Sequence, residues 1–291
     1  IYDRQIAPTE AIRLFDATLS QLVRLGTKVC VISGNHDGAD RITLLKTALR
    51  QNGIYFATEL ADAFTPVVLE EEGKKLQLFL LPYFDTAQAR DFLKDDSLRG
   101  EGACTQALLE KLVPLFAPDA GHVLISHCFA AGSQTSDSES TMFVGGSGQV
   151  APSLFDPFDY AALGHLHGPQ KAGEKGRYSG SPLKYSLSEA GNEKSVPLIT
   201  LGQKGEVRLE LIPLVPKRDV RHIRGTVEEL LNRENVGNTE DFIYATITDE
   251  DVINDVMGIF RQYYPNIVKI DYDNSHTREI NEIDLSAGIE K

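Results

Sequence analysis

The sequence predicts an α/β fold, and three observations carry that prediction. A strand, a polar loop and a helix follow one another over residues 28–52. Three polar clusters each sit directly after an apolar run of strand length. Beyond Pro213 and Pro216 the pattern changes to short strands alternating with helices. With 291 residues and 42% apolar side chains, the chain can bury a sizeable core. At roughly 150 residues per domain it reads as one large domain with a smaller companion.

Residues 8–25 form the first predicted helix. Pro8 and Thr9 start it, Ile12, Phe15, Leu19, Leu22 and Val23 share a face, and Gly26 stops it. Lys28 to Ser33 is a short apolar strand that runs into Gly34-Asn35-His36-Asp37. Asp40 can then cap a helix over 41–52, ended by Gly53. Residues 66–81 read as a hairpin around EEGKK, and 101–117 as a second amphipathic helix. A strand over 122–126 ends at His127. Residues 130–150, rich in Gly, Ser and Thr, are read as a long loop, either a substrate element or plain surface. Tyr160 to Leu163 is a strand that ends at Gly164-His165-Leu166-His167. Two more strands follow near 195–201 and 206–213. After the linker, strands at 219–224, 242–248 and 267–272 enclose helices at 226–234 and 251–263. The expected domains are therefore 1–215, a compact 216–275, and a polar tail at 276–291.

Composition narrows the function. No apolar run approaches the ~18 residues needed to span a bilayer, and no signal-peptide pattern is present. Ile1 is not a Met, which leaves the natural N-terminus open. Cys30, Cys104 and Cys128 are odd in number and widely spaced, so a disulfide framework is not expected and a reducing cytoplasm is the simplest home. Lys and Arg number 29 against 42 Asp and Glu, a net charge of −13. That balance opposes a nucleic-acid partner unless contacts are local, metal-assisted or supplied by a second protein.

The chemistry concentrates at the strand ends. Ligand sites in α/β sheets gather at the carboxyl ends of strands. Asn35, His36 and Asp37, then His127, then His165 and His167 all lie there. A single histidine after a strand is more often a hydrogen-bonded loop residue than a ligand. Several together change the balance, because imidazole nitrogens and an amide oxygen suit Mn²⁺, Fe²⁺ or Zn²⁺. Alternation on an extended strand end turns both imidazoles of His-x-His to one side. His122, within a strand, and Cys128, pointing opposite to His127, read as core.

GNHD, a strand ending in His127, and GHLH together resemble the signature of calcineurin-like metallophosphoesterases. YAALGHLHGPQ followed by YSGSPLKYSLSEAG is similar to the SbcD/Mre11 branch, and IYDRQIAPTEA resembles the segment after that branch's second motif. The resemblance implies a calcineurin-like β-sandwich flanked by helices, with a small C-terminal α+β capping domain. It implies a Mn²⁺-dependent DNA nuclease, exonucleolytic on duplex ends and endonucleolytic on hairpins or single strands. Two Mn²⁺ ions are expected, with Mg²⁺ or another divalent metal as substitutes. Asn35, His127 and His165 would bind one ion and His167 the other. His36 would act as general acid. Asp37 would support the loop or orient His36, and Asp3 and Asp37 would line the site. The partners implied are DNA, an SbcC-like ATPase and a second copy of the chain, with residues 8–25 and 41–52 as candidate dimer helices. The family's Asp-x-His first motif and bridging Asp do not occur in this sequence, so the sequence as it stands is expected to hold metal poorly. The alternatives are a phosphodiesterase for small diesters or nucleotides, and an inactive scaffold.

Overall fold

The protein is described by a computed structural model covering residues 1–43, 46–139, 148–202, 205–232, 237–275 and 277. The chain divides into two compact units. The first comprises Ile1–Thr135, Glu139–Ser181 and Ser195–Ile212; the second comprises Ser136–Ser138, Pro182–Lys194 and the chain from Pro213 onward. Among the described residues, no helix is long and apolar enough to cross a membrane.

In the first unit, α1 (Thr9–Arg24) follows Pro8, whose ring presets the entry, and stops at Gly26 with φ of 74°. Glu10 in its first turn and Arg24 in its last complement the helix dipole. A two-stranded parallel sheet pairs β1 (Val29–Ile32) with β2 (Ile54–Ala57). The predicted helix over 41–52 is instead two short pieces, α2 (Ala39–Ile42) and α3 (Lys46–Arg50). Gly38 occupies the N-cap position of α2, and the Asp40 side chain lies outside the described structure.

Strand alternation decides which core each residue joins. Val29, Val31, Ile54 and Phe56 pack with Phe15, Leu19 and Val23 of α1. Cys30, Ile32, Tyr55 and Ala57 face the opposite way, toward Val67, Leu78 and Leu80. These last residues belong to the next sheet.

That sheet begins after α4 (Leu60–Ala63) with the hairpin of β3 (Val67–Glu71) and β4 (Lys74–Leu81). The helices α5 (Thr86–Leu93) and α6 (Gly100–Leu112) come next. After them run β5 (Ala120–His127), the short β6 (Phe129–Ala130) and β7 (Gln149–Val150), then β8 (Tyr160–Gly164), β9 (Gln170–Ala172) and β10 (Gly176–Tyr178). The six-stranded order is β3-β4-β5-β8-β10-β9. Strands β4, β5, β8 and β10 are mutually parallel, so their carboxyl ends lie along one edge. Phe79, Leu81, Leu124, Ala161, Leu163 and Tyr178 form one face and pack against Leu108, Leu109 and Leu112 of α6. Burying such side chains contributes about 1.5–3 kcal/mol each. His122 belongs to this core, stacked 3.9 Å from Phe116, and Cys128 is buried in it. A separate pair, β11 (Ser195–Leu201) with β12 (Val207–Pro213), completes the first unit's strands.

The second unit holds the predicted β-α-β-α-β order. It contains β13 (Val220–Gly225), α7 (Val227–Leu230), β14 (Phe242–Ile247), α8 (Val256–Arg261) and β15 (Ile267–Tyr272), with the three strands parallel. Ile243, Ala245, Ile247, Phe260 and Tyr264 form its core. Thr226 and Glu229 cap α7 reciprocally. Residues 182–194 join this unit through Lys184, whose Nζ donates to Asp219 at 3.0 Å and to the carbonyl of Val220 at 3.1 Å. The same segment carries a buried ion pair, Lys194 Nζ to Glu189 at 2.6 Å. Of the polar tail, residue 276 and residues 278–291 lie outside the described structure.

Candidate active site

Parallel register brings the polar clusters together. His127 stands opposite Gly164 in the β5–β8 ladder, so His165 leaves its strand beside the imidazole of His127. On the other side, Ser33 at the end of β1 accepts a hydrogen bond from the Tyr83 amide at 2.9 Å, which aligns the end of β1 with the end of β4. The GNHD turn therefore opens onto the same edge.

The two motif glycines explain the fit. A Cβ on Gly34 would stand 2.7 Å from Cε1 of His127, and a Cβ on Gly164 would stand 3.0 Å from its Nδ1. Each glycine leaves the space that this ring fills. His127 Nε2 meets the Oδ1 of Asn35 at 2.8 Å. The ring of His165 stands edge-on to that of His127 at 5.3 Å, and Tyr83 packs edge-on from another side at 6.0 Å.

Electrostatics places the remaining histidines in the same field. Burial, followed by the neighbouring His165 and, more weakly, the Ile1 nitrogen and His36, pushes His127 down to about 3. His165 is lowered as well, first by burial and also by His167 and His36, while Glu139 opposes the shift. Buried imidazoles held neutral keep a lone pair for a cation.

Asp37 is the buckle of the turn. Its carboxylate, with the side chain 1% exposed, accepts from the Gly34 amide at 2.7 Å, the Tyr2 amide at 2.8 Å and the Ile1 nitrogen at 3.0 Å. His36 is set by main chain too: its Nδ1 stands 2.8 Å from the carbonyl oxygen of Asp3. A carbonyl can only accept, so Nδ1 carries the hydrogen. Asp3 thus reaches the site through its backbone, while its carboxylate is exposed beside Arg4. His167 is fastened at both main-chain ends. Its amide donates to Glu139, and its carbonyl accepts from the Ser181 amide at 3.0 Å.

The donors suit a divalent transition ion. The 2.8 Å between His127 Nε2 and Asn35 Oδ1 is a hydrogen-bond distance, and the amide oxygen accepts, so Nε2 donates. Among the described residues, no group of three or more His, Cys, Asp or Glu is arranged to hold a metal ion. Asn35, His127 and His165 bring nitrogen and amide-oxygen donors together without a carboxylate.

Sequence reasoning did not single out Tyr83 and Glu139. Tyr83 follows the strand LQLFLLP directly, so the strand-end rule that located the histidines also covers it. Glu139 lies in a loop with no periodic pattern, and nothing local marks it.

Residues 216–287 match a family model of the SbcD C-terminal domain, described as the type 5 capsule protein repressor C-terminal domain. The match spans the three-stranded parallel sheet and helices of the second unit. Over these residues the chain is similar to the C-terminal domain of the SbcD family, the branch that its strand-end motifs resemble.

Proposed function

We propose that this chain is a Mn²⁺-dependent DNA nuclease subunit of SbcD type, acting on duplex ends and hairpins beside an SbcC-like ATPase in DNA repair and recombination. The observation that carries the reading is the meeting of Asn35, His127 and His165 at the carboxyl edge of a parallel sheet. It is joined by a C-terminal domain of the SbcD family. Asn35, His127 and His165 would hold one ion and His167 a second. Bound there, divalent ions would polarise a phosphodiester and make water acidic enough to attack it.

The protein's own groups do the rest. The Asp3 carbonyl orients the His36 ring. When protonated, His36 can deliver a proton from Nε2 to the leaving oxygen. Asp37 holds the turn that presents both Asn35 and His36. A calcineurin-like sandwich for residues 1–215 and a capping role for 216–275 belong to the same reading. Dimerisation through α1 suits a helix with no buried residue of its own and with Ile12 and Leu14 exposed.

One observation favours a second reading. The net charge of −13 suits a small phosphodiester or nucleotide better than a DNA duplex. Mn²⁺-dependent degradation of end-labelled duplex DNA by the full-length protein, with His36→Ala as control, separates the two. Degradation lost in the variant supports the nuclease. Hydrolysis of a nucleotide diester with duplex DNA untouched supports the alternative.

A further inference from the structure

We infer that Glu139, delivered by the Gly/Ser/Thr-rich loop between β6 and β7, is a positioning residue that clamps the His165–His167 turn. The proposal rests on reading these histidines as ligands, and it concerns how their backbone is held.

The turn needs holding. His165 has φ of 109°, a region that a side-chain-bearing residue rarely adopts. Such conformations persist only where the surroundings over-determine them. Here two fastenings flank the next residues. The carboxylate of Glu139 accepts the His167 amide, and Ser181 donates its amide to the His167 carbonyl. Gly180 makes the second fastening possible, since a Cβ there would stand 2.6 Å from that carbonyl oxygen. Glu139 is 7% exposed, so its bond to the amide is shielded from water. A charge-assisted hydrogen bond in such a place is among the stronger ones.

The loop therefore does more than span the gap between β6 and β7. Residues 140–147 lie outside the described structure, but Glu139 itself is a fixed member of the first unit. Its nearest loop neighbours are not interchangeable with it: Asp137 is exposed. One side chain thus steadies the strained turn.

The test compares Glu139→Ala, Glu139→Gln and Asp137→Asn in the full-length protein, with hydrogen exchange of the amides over 164–168 as readout. Losing a hydrogen bond to a charged acceptor should speed exchange in Glu139→Ala by about tenfold or more. Glu139→Gln keeps an accepting oxygen and should restore most of the protection, while Asp137→Asn should match the wild type. Unchanged exchange in Glu139→Ala overturns the clamp. If Glu139→Ala does not fold, the His167 amide proton resonance in Glu139→Gln decides. It should move upfield when the carboxylate becomes an amide, and an unmoved resonance overturns the proposal. Mn²⁺ titration of His167→Ala, read by electron paramagnetic resonance, is scored separately. Unaltered binding there would sink the ligand reading while leaving the exchange result to judge the clamp.

Discussion

Gly34→Ala places a methyl carbon 2.7 Å from Cε1, 3.0 Å from Nδ1 and 3.2 Å from Nε2 of His127. Carbon atoms rest at about 3.5 Å or more, so the ring must retreat by about 0.8 Å. It has little room to do so. Gly164 closes on its Nδ1 side, Tyr83 packs on its edge, and Asn35 is bonded to Nε2. Overpacking of this kind costs about 1–3 kcal/mol. For a unit of this size that lowers Tm by roughly 2–12 °C. The effect on chemistry should be larger than the effect on stability, because a misplacement near 1 Å can cost about 10²-fold in rate. The assay is Mn²⁺-dependent hydrolysis of a chromogenic phosphodiester by the full-length protein, read beside thermal unfolding. Gly34→Ala should keep its fold and lose about two orders of magnitude in activity. Wild-type rates with an unchanged Tm would refute the view that this glycine exists to make room for His127.

Three further outcomes follow from other parts of the molecule. Tyr178→Phe removes a buried hydroxyl that accepts from the Ala130 amide at 2.7 Å and donates to the Cys128 carbonyl at 2.8 Å, and it should destabilise the first unit by about 2–3 kcal/mol in chemical denaturation. Lys194→Ala leaves Glu189 charged and fully buried, so the second unit should lose about 3–5 kcal/mol; a loss under about 1 kcal/mol would contradict the ion pair's placement. Glu101 is partly buried, and burial, reinforced by Asp85, raises its carboxyl to about 7. Its folded pKa lies above the unfolded one, so the contribution of Glu101 to stability should fall as pH rises from 4.5 to 7 and level off above. Glu101→Gln should abolish that slope, a gain of about 1 kcal/mol above pH 7 once solvent screening is allowed for. Equal pH profiles for the two proteins would count against it.

Much of this architecture was legible because burial imposes a period. Val29 and Val31 separate from Cys30 and Ile32 by simple alternation, and α1 announces itself by Phe15, Leu19 and Val23 on one face. The alternation of three strands with two helices in the second unit was legible for the same reason. Short elements were not. β10 is only Gly176–Tyr178, yet it sits inside the large sheet between β8 and β9, and Tyr178 is one of its most buried side chains. Three residues cannot display a period. The two pieces α2 and α3 likewise share one amphipathic pattern, which reads as one helix.

The strand-end rule singled out Asn35, His36, His127, His165 and His167 because polar residues there interrupt apolar runs, and Asn35, His127 and His165 do lie side by side. Contacts made by backbone were invisible. The Asp3 carbonyl at His36 and the Glu139 carboxylate at the His167 amide depend on main-chain groups that every sequence carries. The adoption of 182–194 by the second unit is hidden for a similar reason, since it rests on Lys184 reaching Asp219 and the carbonyl of Val220.

We propose that these strand ends form a divalent-metal centre. Anomalous diffraction from crystals of the full-length protein grown with Mn²⁺ tests it most directly. A peak is expected within about 2.3 Å of both His127 Nε2 and Asn35 Oδ1, with the hydrogen bond between them replaced by two bonds to the ion. An intact His127–Asn35 hydrogen bond, with no peak beside it at saturating Mn²⁺, would contradict it.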